Sequence, residues 1–310
     1  MAVATALATF CHAKAVCLNR LTMWDAISDQ IQAVTGQPFN VKEIHSVGGG
    51  SINRAVCISN GQQRYFIKLN QASQVSMFEA EALGLKDLAV SNTICIPQSI
   101  CWGTVENNSF HVLEWLDLGR NSGSGWQEMG RRLAQLHRST NADRFGWHRN
   151  NTIGSTLQPN PWTQDWSTFF TEHRIGFQLQ LAQRRGAHLA QAESLLQALP
   201  QILNHNPVPS LVHGDLWSGN AGFTRSGAPV LFDPAVYWGD REVDLAMTEL
   251  FGGFPAAFYE GYQNEWPLDA GYAQRKTIYN LYHILNHFNL FGGGYRHQAE
   301  QLMAQALASV

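Results

Sequence analysis

Asp215, Asn220 and Asp233 are the residues of this 310-residue chain whose types and spacing most suggest chemistry. Asp215 and Asn220 lie in Leu211-Val212-His213-Gly214-Asp215-Leu216-Trp217-Ser218-Gly219-Asn220. Asp233 follows a short hydrophobic run, in Leu231-Phe232-Asp233-Pro234. Phosphoryl transfer asks for little more from a protein: a carboxylate to orient and deprotonate a hydroxyl, and oxygen ligands for Mg²⁺ on the phosphates. Asp215 suits the first role. Asn220 and Asp233 suit the second, because Mg²⁺ takes oxygen donors and shares them with phosphates. Asp and Asn also gather in turns, where their side chains bond their own backbone. The set therefore needs support from elsewhere in the chain.

The neighbouring residues read as scaffolding or substrate contacts. His213 suits bracing of the loop better than chemistry. Trp217 either floors a substrate pocket or packs in the core. Asp244, in Asp240-Arg241-Glu242-Val243-Asp244, reads as an anchor for loop backbone at a helix start. The step from Asp233 to Asp240 is short and leaves no room for a long regulatory activation loop.

These residues need elements to position them. Strands are expected at Val41–Val47, Arg54–Ser59, Arg64–Leu69, Gln98–Thr104 and Phe110–Trp115, with a helix over Val75–Ala89. Asn60-Gly61 signals a type I′ hairpin between the second and third strands. The expectation is a five-stranded antiparallel sheet with one helix. From Gly125 the chain turns helical, interrupted only by the strands and loops of the catalytic segment. The expected fold class is α+β in two lobes: a small nucleotide-binding lobe with hinge at 23–116, and a large, mainly helical lobe at 117–310. Residues 1–22 lack acids and fit a disordered extension ahead of a helix that starts at Met23.

The small lobe offers a nucleotide site. Gly48-Gly49-Gly50-Ser51 lets backbone N–H groups approach phosphates closely, although no Walker A lysine follows and an ordinary hairpin turn reads equally well. Lys68 sits in the third strand between Ile67 and Leu69, where a charge is awkward unless it is used. Glu81 falls inside the apolar stripe of Phe78, Leu85 and Leu88, whereas Glu79 falls to one side. A glutamate on a buried face wants a cation, and Lys68 is the candidate. Glu114-Trp115-Leu116 ends the last strand, at the place where backbone groups would meet an adenine edge.

Composition narrows the class further. The chain is 45% hydrophobic with a net charge of -3, enough for a sizeable core and without a basic footprint for nucleic acid. No apolar run is long enough to span a bilayer. The five cysteines form no CxxC pair, which argues against zinc and for reduced thiols in the cytoplasm.

The stretches GGGSIN at 48–53, MFEAEALGL at 77–85, FGWHRNNTIGSTLQPN at 145–160, WTQDWSTFF at 162–170, HGDLWSGN at 213–220, FDPAVYWGDREVDLAMTELFGGF at 232–254 and YNLYHILNHFNLFGGGY at 279–295 carry a resemblance. From Met23 onward the chain resembles the fructosamine kinase (ketosamine-3-kinase) family, a branch of the aminoglycoside-phosphotransferase-like kinases. The resemblance implies a protein-kinase-like fold, ATP and Mg²⁺, and transfer of phosphate to the 3-hydroxyl of a ketosamine in deglycation repair. It implies Asp215 as proton acceptor, Glu114, Trp115 and Leu116 as the adenine hinge, and Lys68 with Glu81 at the phosphates. Trp217 and Trp238 are expected against the substrate. Some family members carry Cys where this chain has Ser51, so redox control through that thiol is not available here. The alternatives are a kinase of aminoglycosides, choline or free sugars, or a catalytically silent nucleotide-binding protein. Oligomeric state is not readable.

Overall fold

The computed structural model describes residues 22–48, 52–119, 124–139 and 142–308. The first element, α1 (Met23–Thr35), is fixed at its start by a capping box. The Thr22 hydroxyl accepts from the Asp25 N–H at 3.3 Å, and the Asp25 carboxylate accepts from the Thr22 N–H at 2.9 Å. Thr22 thus belongs to the helix; residues 1–21 of the expected extension lie outside the described residues.

The small lobe is the expected antiparallel sheet, with strands β1 (Glu43–Val47), β2 (Arg54–Ser59), β3 (Arg64–Gln71), β4 (Ser99–Val105) and β5 (Asn108–Glu114) in the order β1-β2-β3-β5-β4. The β2–β3 turn differs from the expected type I′. Ser59 pairs with Arg64, so residues 60–63 form a longer loop, and of Asn60 and Gly61 only Gly61 has positive φ, at 93°. The Asn60 carboxamide oxygen accepts from the N–H groups of Gln62 and Gln63 at 2.9 and 2.7 Å. That side chain, rather than a tight two-residue bend, closes the hairpin. Helix α2 (Val75–Ala89) crosses between β3 and β4 and buries the expected Phe78, Leu85 and Leu88.

The chain then passes through the short β6 (Leu118–Gly119) into α3 (Gly125–Ser139) and a hairpin of β7 (Asn151–Ile153) and β8 (Thr156–Gln158). A long helix follows, as α4 (Trp166–Phe170), a wide π turn over Thr171–Gly176, and α5 (Phe177–Arg184). It starts at Trp166, because the Asp165 carboxylate caps it by accepting from the Thr168 N–H at 2.6 Å. After α6 (Ala192–Ile202) come the short strands β9 (Ser210–Val212), β10 (Ala221–Thr224), β11 (Pro229–Leu231) and β12 (Tyr237–Gly239). The chain finishes in α7 (Glu242–Leu250), α8 (Ala256–Glu265), α9 (Tyr272–Phe291) and α10 (Tyr295–Leu307). Among the described residues no helix is long and apolar enough to cross a membrane.

Two hydrophobic clusters hold this together. One joins Ile27 and Ile31 of α1 to Val56, Ile67, Phe110 and Val112 of the sheet. The other fills the large lobe, from Met129 and Leu133 of α3 to Ile284 and Leu285 of α9, and it also takes in Ala80 and Leu88 of α2. The division at residue 116 puts α2 with the small lobe, yet its buried face is shared with the large one.

Candidate active site

Lys68 lies on β3 directly across from His111 on β5 and is 5% exposed. Its ammonium group sits 2.5 Å from Glu81 Oε1 and 2.5 Å from Asp233 Oδ1. Burial disfavours the charge, but the two carboxylates outweigh that and raise the Lys68 pKa above its ordinary value. Glu81 is the mirror case. Burial would push it up, and Lys68 and His111 instead hold it down to about 2. The fully buried His111 ring places Nδ1 3.5 Å from Glu81 Oε2 and Nε2 2.9 Å from the Ser99 hydroxyl. Glu79 points elsewhere and accepts from Arg149 Nη2 at 2.8 Å.

The catalytic segment is held by backbone bonds. Gly214 has φ +80°, and a Cβ there would lie 2.2 Å from the Ala235 carbonyl, so only glycine fits. The buried Asp244 carboxylate accepts from the N–H groups of His213 and Gly214 at 2.7 and 2.8 Å, and from His137 Nε2 at 3.0 Å. His213 donates Nε2–H to the Phe232 carbonyl at 3.0 Å and accepts at Nδ1 from the Asp215 N–H at 3.3 Å. Burial lowers its pKa and keeps the ring neutral. His213 braces the loop and Asp244 anchors it.

Asp215 then stands half-buried at the head of the segment. Burial first, and the nearby Asp233 charge second, push its carboxyl up to about 7; a hydrogen bond from Asn220 opposes them. Asn220 Nδ2 donates to the Asp215 carbonyl at 2.9 Å and to its carboxylate at 3.2 Å. Asp233 is reached through a left-handed residue conformation, φ 58°.

One cleft of about 710 Å³ lies between the lobes, a size that suits a small-molecule site. Lys68, Glu81, Asp215, Asn220 and Asp233 line it, as do Gly48 and the hinge residues Glu114, Trp115 and Leu116. Gly49, Gly50 and Ser51 lie outside the described residues. Trp217 lines the cleft and is 37% exposed, so it is not a core residue. The ring lies against Gly219, where a Cβ would sit 2.3 Å from it. Trp238 is not brought to the cleft. It is half-buried on β12, paired through its backbone with Leu211 and Gly146, and packed on the large-lobe core.

The structure adds residues that spacing did not reveal. Asn151, Thr152 and Gly154 of the β7–β8 hairpin also line the cleft. At the hinge end, Arg64 bonds Asp117 at 2.9 Å and lies 5.2 Å from the Trp115 ring. The hairpin carries no charge and its strands are three residues each. Its only local signal was the Gly-Ser turn at 154–155.

A sequence model described as fructosamine kinase matches residues 23–309. The chain belongs to the fructosamine kinase family. A relative from Synechocystis named as a probable ketoamine kinase is 54% identical over 94% of this chain and 99% of its own. The rice protein named protein-ribulosamine 3-kinase, chloroplastic, is 38% identical over 86% of this chain and 80% of its own. A crystal structure from Haemophilus somnus 129PT, assigned as a fructosamine-3-kinase, superimposes with a TM-score of 0.87 at 35% identity, covering 92% of this chain and 98% of that one. An aminoglycoside phosphotransferase, APH(4)-Ia, shares the fold at 15% identity with a TM-score of 0.60 over 91% of this chain and 98% of that one. The fold is thus the protein-kinase-like one, and the five cleft residues of this fructosamine kinase family member occupy its inter-lobe cleft.

Proposed function

We propose that this chain is an ATP-dependent ketosamine kinase that phosphorylates the 3-hydroxyl of a sugar-derived ketosamine, with Mg²⁺ as the metal. The observation that carries the reading is the meeting of Lys68, Asp215, Asn220 and Asp233 around one cleft, in a chain 54% identical over 94% of its length to a relative named for ketoamines. The position of transfer follows the rice relative, named for ribulosamine 3-kinase.

Each residue has a task in this reading. The hinge 114–116 receives the adenine, and Gly48 with the glycine-rich loop after it covers the phosphates. Lys68 pairs with phosphate oxygens while Glu81 holds it in line. Asn220 spends its amide nitrogen on the Asp215 carbonyl, so its oxygen is left as a ligand beside the Asp233 carboxylate. Two hard oxygens at this place fit Mg²⁺. When bound, Mg²⁺ neutralises charge on the transferring phosphoryl group. Asp215 takes the proton of the acceptor hydroxyl, and a carboxyl poised near 7 suits general-base work at neutral pH. Trp217 offers an aromatic face to the apolar side of the sugar.

A phosphate at C3 lies α to the C2 carbonyl; once C1 and C2 tautomerise to the 1,2-enaminol it is an allylic leaving group, and its loss leaves a C1 imine that water hydrolyses. The product should therefore eliminate inorganic phosphate and free the amine, which makes the activity a deglycation repair. The cytoplasm suits it, since the described cysteines, Cys57, Cys95 and Cys101, are unpaired thiols. The test is NMR of ribulosamine and fructosamine adducts of lysine incubated with enzyme and Mg-ATP. The expected result is phosphate on C3, followed by released amine. Phosphate on another carbon, or only on an aminoglycoside or choline in the same panel, overturns the reading.

A further inference from the structure

In protein kinases the pair between the strand lysine and the helix glutamate is made and broken as the helix moves, and that movement controls activity. Here the equivalent helix, α2, is tied to the large lobe along its length. Near its start, Glu79 accepts from Arg149 at 2.8 Å. Near its end, Asp87 accepts from the indole N–H of the buried Trp147 at 2.9 Å. Between them, Gly84 packs so closely that an added Cβ would lie 2.9 Å from Val236. Ala80 and Leu88 belong to the large-lobe cluster, and no residue of α2 belongs to the buried cluster under the sheet.

Arg149 and Trp147, which bond α2, come from one segment, which also grips the chain just after Asp233. Asn151 Nδ2 donates to the Val236 carbonyl at 2.9 Å, and Gln158 Nε2 donates to the Ala235 carbonyl at 3.1 Å. Gly146 and Trp238 exchange backbone hydrogen bonds at 3.0 and 2.8 Å. The segment is itself fixed by the buried Arg174, which donates to the Asn160 side chain at 2.6 Å and the Pro159 carbonyl at 2.7 Å. Residues 145–160 therefore form a strap with α2 on one side and the Asp233 segment on the other.

We propose that Glu79 and Asp87 are positioning residues: through Arg149 and Trp147 they fix α2 to the Asp233 segment, and so hold Glu81 where it meets Lys68. The proposal rests on the reading of Lys68 as the phosphate-binding lysine. The Arg149–Glu79 pair is 26% and 43% exposed on its two sides, so it contributes little to global stability. Its effect should appear in nucleotide binding instead, because Glu81 is only two residues from Glu79 on the same helix.

The test uses the full chain with Glu79→Arg and Arg149→Glu, singly and combined, and with Trp147→Phe. The readouts are the dissociation constant of Mg-ATP by calorimetry without acceptor, the melting temperature, and hydrogen exchange of α2. Each single reversal is expected to weaken Mg-ATP binding about three- to fivefold and to speed exchange in α2 at a nearly unchanged melting temperature. The combined variant should return to within about twofold of the parent. Trp147→Phe should speed exchange at the Asp87 end of α2, and Glu79→Gln replaces a reversal variant that does not fold. Unchanged binding and exchange in the single variants, or a loss that the combination does not repair, overturns the proposal. A parent chain that binds Mg-ATP yet leaves ketosamines unphosphorylated overturns the functional reading alone, since none of these readouts needs an acceptor.

Discussion

At the scale of single residues, the cleft separates chemistry from support. Among the described residues Asp215 has no cationic partner; only the Asn220 amide donates to its carboxylate, and that lets burial raise its pKa. Asp215→Asn should cut turnover by on the order of 10²–10⁴-fold while Mg-ATP binds as before. Turnover near that of the parent would remove Asp215 as the base. Trp217 is proposed to meet the acceptor. Trp217→Ala should raise the acceptor KM about three- to tenfold and leave the ATP KM alone, and Gly219→Ala should do the same by displacing the ring. Steady-state kinetics with each substrate varied decides it, and an equal rise in both KM values would count against the assignment. The proposed reactive set could be picked out because its spacing is local: Asp215, Asn220 and Asp233 sit in one short stretch. Glu81 was separable from Glu79 because helical periodicity puts them on different faces. Trp238 was misread. Residue type shows that a Trp could meet a sugar, but the pairing of β12 with β9 decides where the ring goes, and that pairing is not local.

At the scale of elements, the long helices and the sheet strands were readable from periodicity, and the short strands were not. Elements of two to four residues, such as β6 and β7 to β12, are too brief to display a period of two. The Asn60-Gly61 turn was misjudged because a dipeptide preference does not count loop length. Contacts between helices were also hidden. On α3, a Cβ at Gly130 would lie 1.9 Å from the Phe258 carbonyl of α8, and one at Gly261 would lie 2.0 Å from the Gln127 carbonyl. Gly130→Ala should therefore destabilise by about 1–3 kcal/mol, or prevent folding, with α8 the first region to lose protection in hydrogen exchange. An unchanged midpoint in urea would show that the helices can part without cost. Asp244, on α7, ties that helix to the catalytic segment. Burial opposes its charge, but His137 and the backbone donors win and lower its pKa below the ordinary 3.8. Its contribution is present in full above that value and is lost as pH falls through the lower folded one. Asp244→Asn should cost about 3–5 kcal/mol at pH 7. The gap in melting temperature between parent and variant should narrow below about pH 4; a constant gap would contradict the sign.

At the scale of the whole molecule, two lobes around a cleft were readable, but the allegiance of α2 was not. One apolar stripe looks the same whichever lobe it packs against, and α2 packs against both. The N-terminal boundary moves by one residue for a similar reason: a threonine before a helix is weak evidence until its bond to Asp25 is seen. Removing residues 1–21 is expected to leave activity and melting temperature unchanged. A chain that starts at Met23 loses the Thr22 cap and should be about 0.5–2 kcal/mol less stable. Equal melting temperatures for the two truncations would deny the cap its role, and a large loss from the first would mean that residues 1–21 pack on the small lobe.

The stretch between Asp233 and α7 is occupied by β12, whose three residues are already paired with β9. It offers no loose loop for a modifying enzyme to grip. A switch that works by ordering or releasing this stretch therefore has nothing to act on.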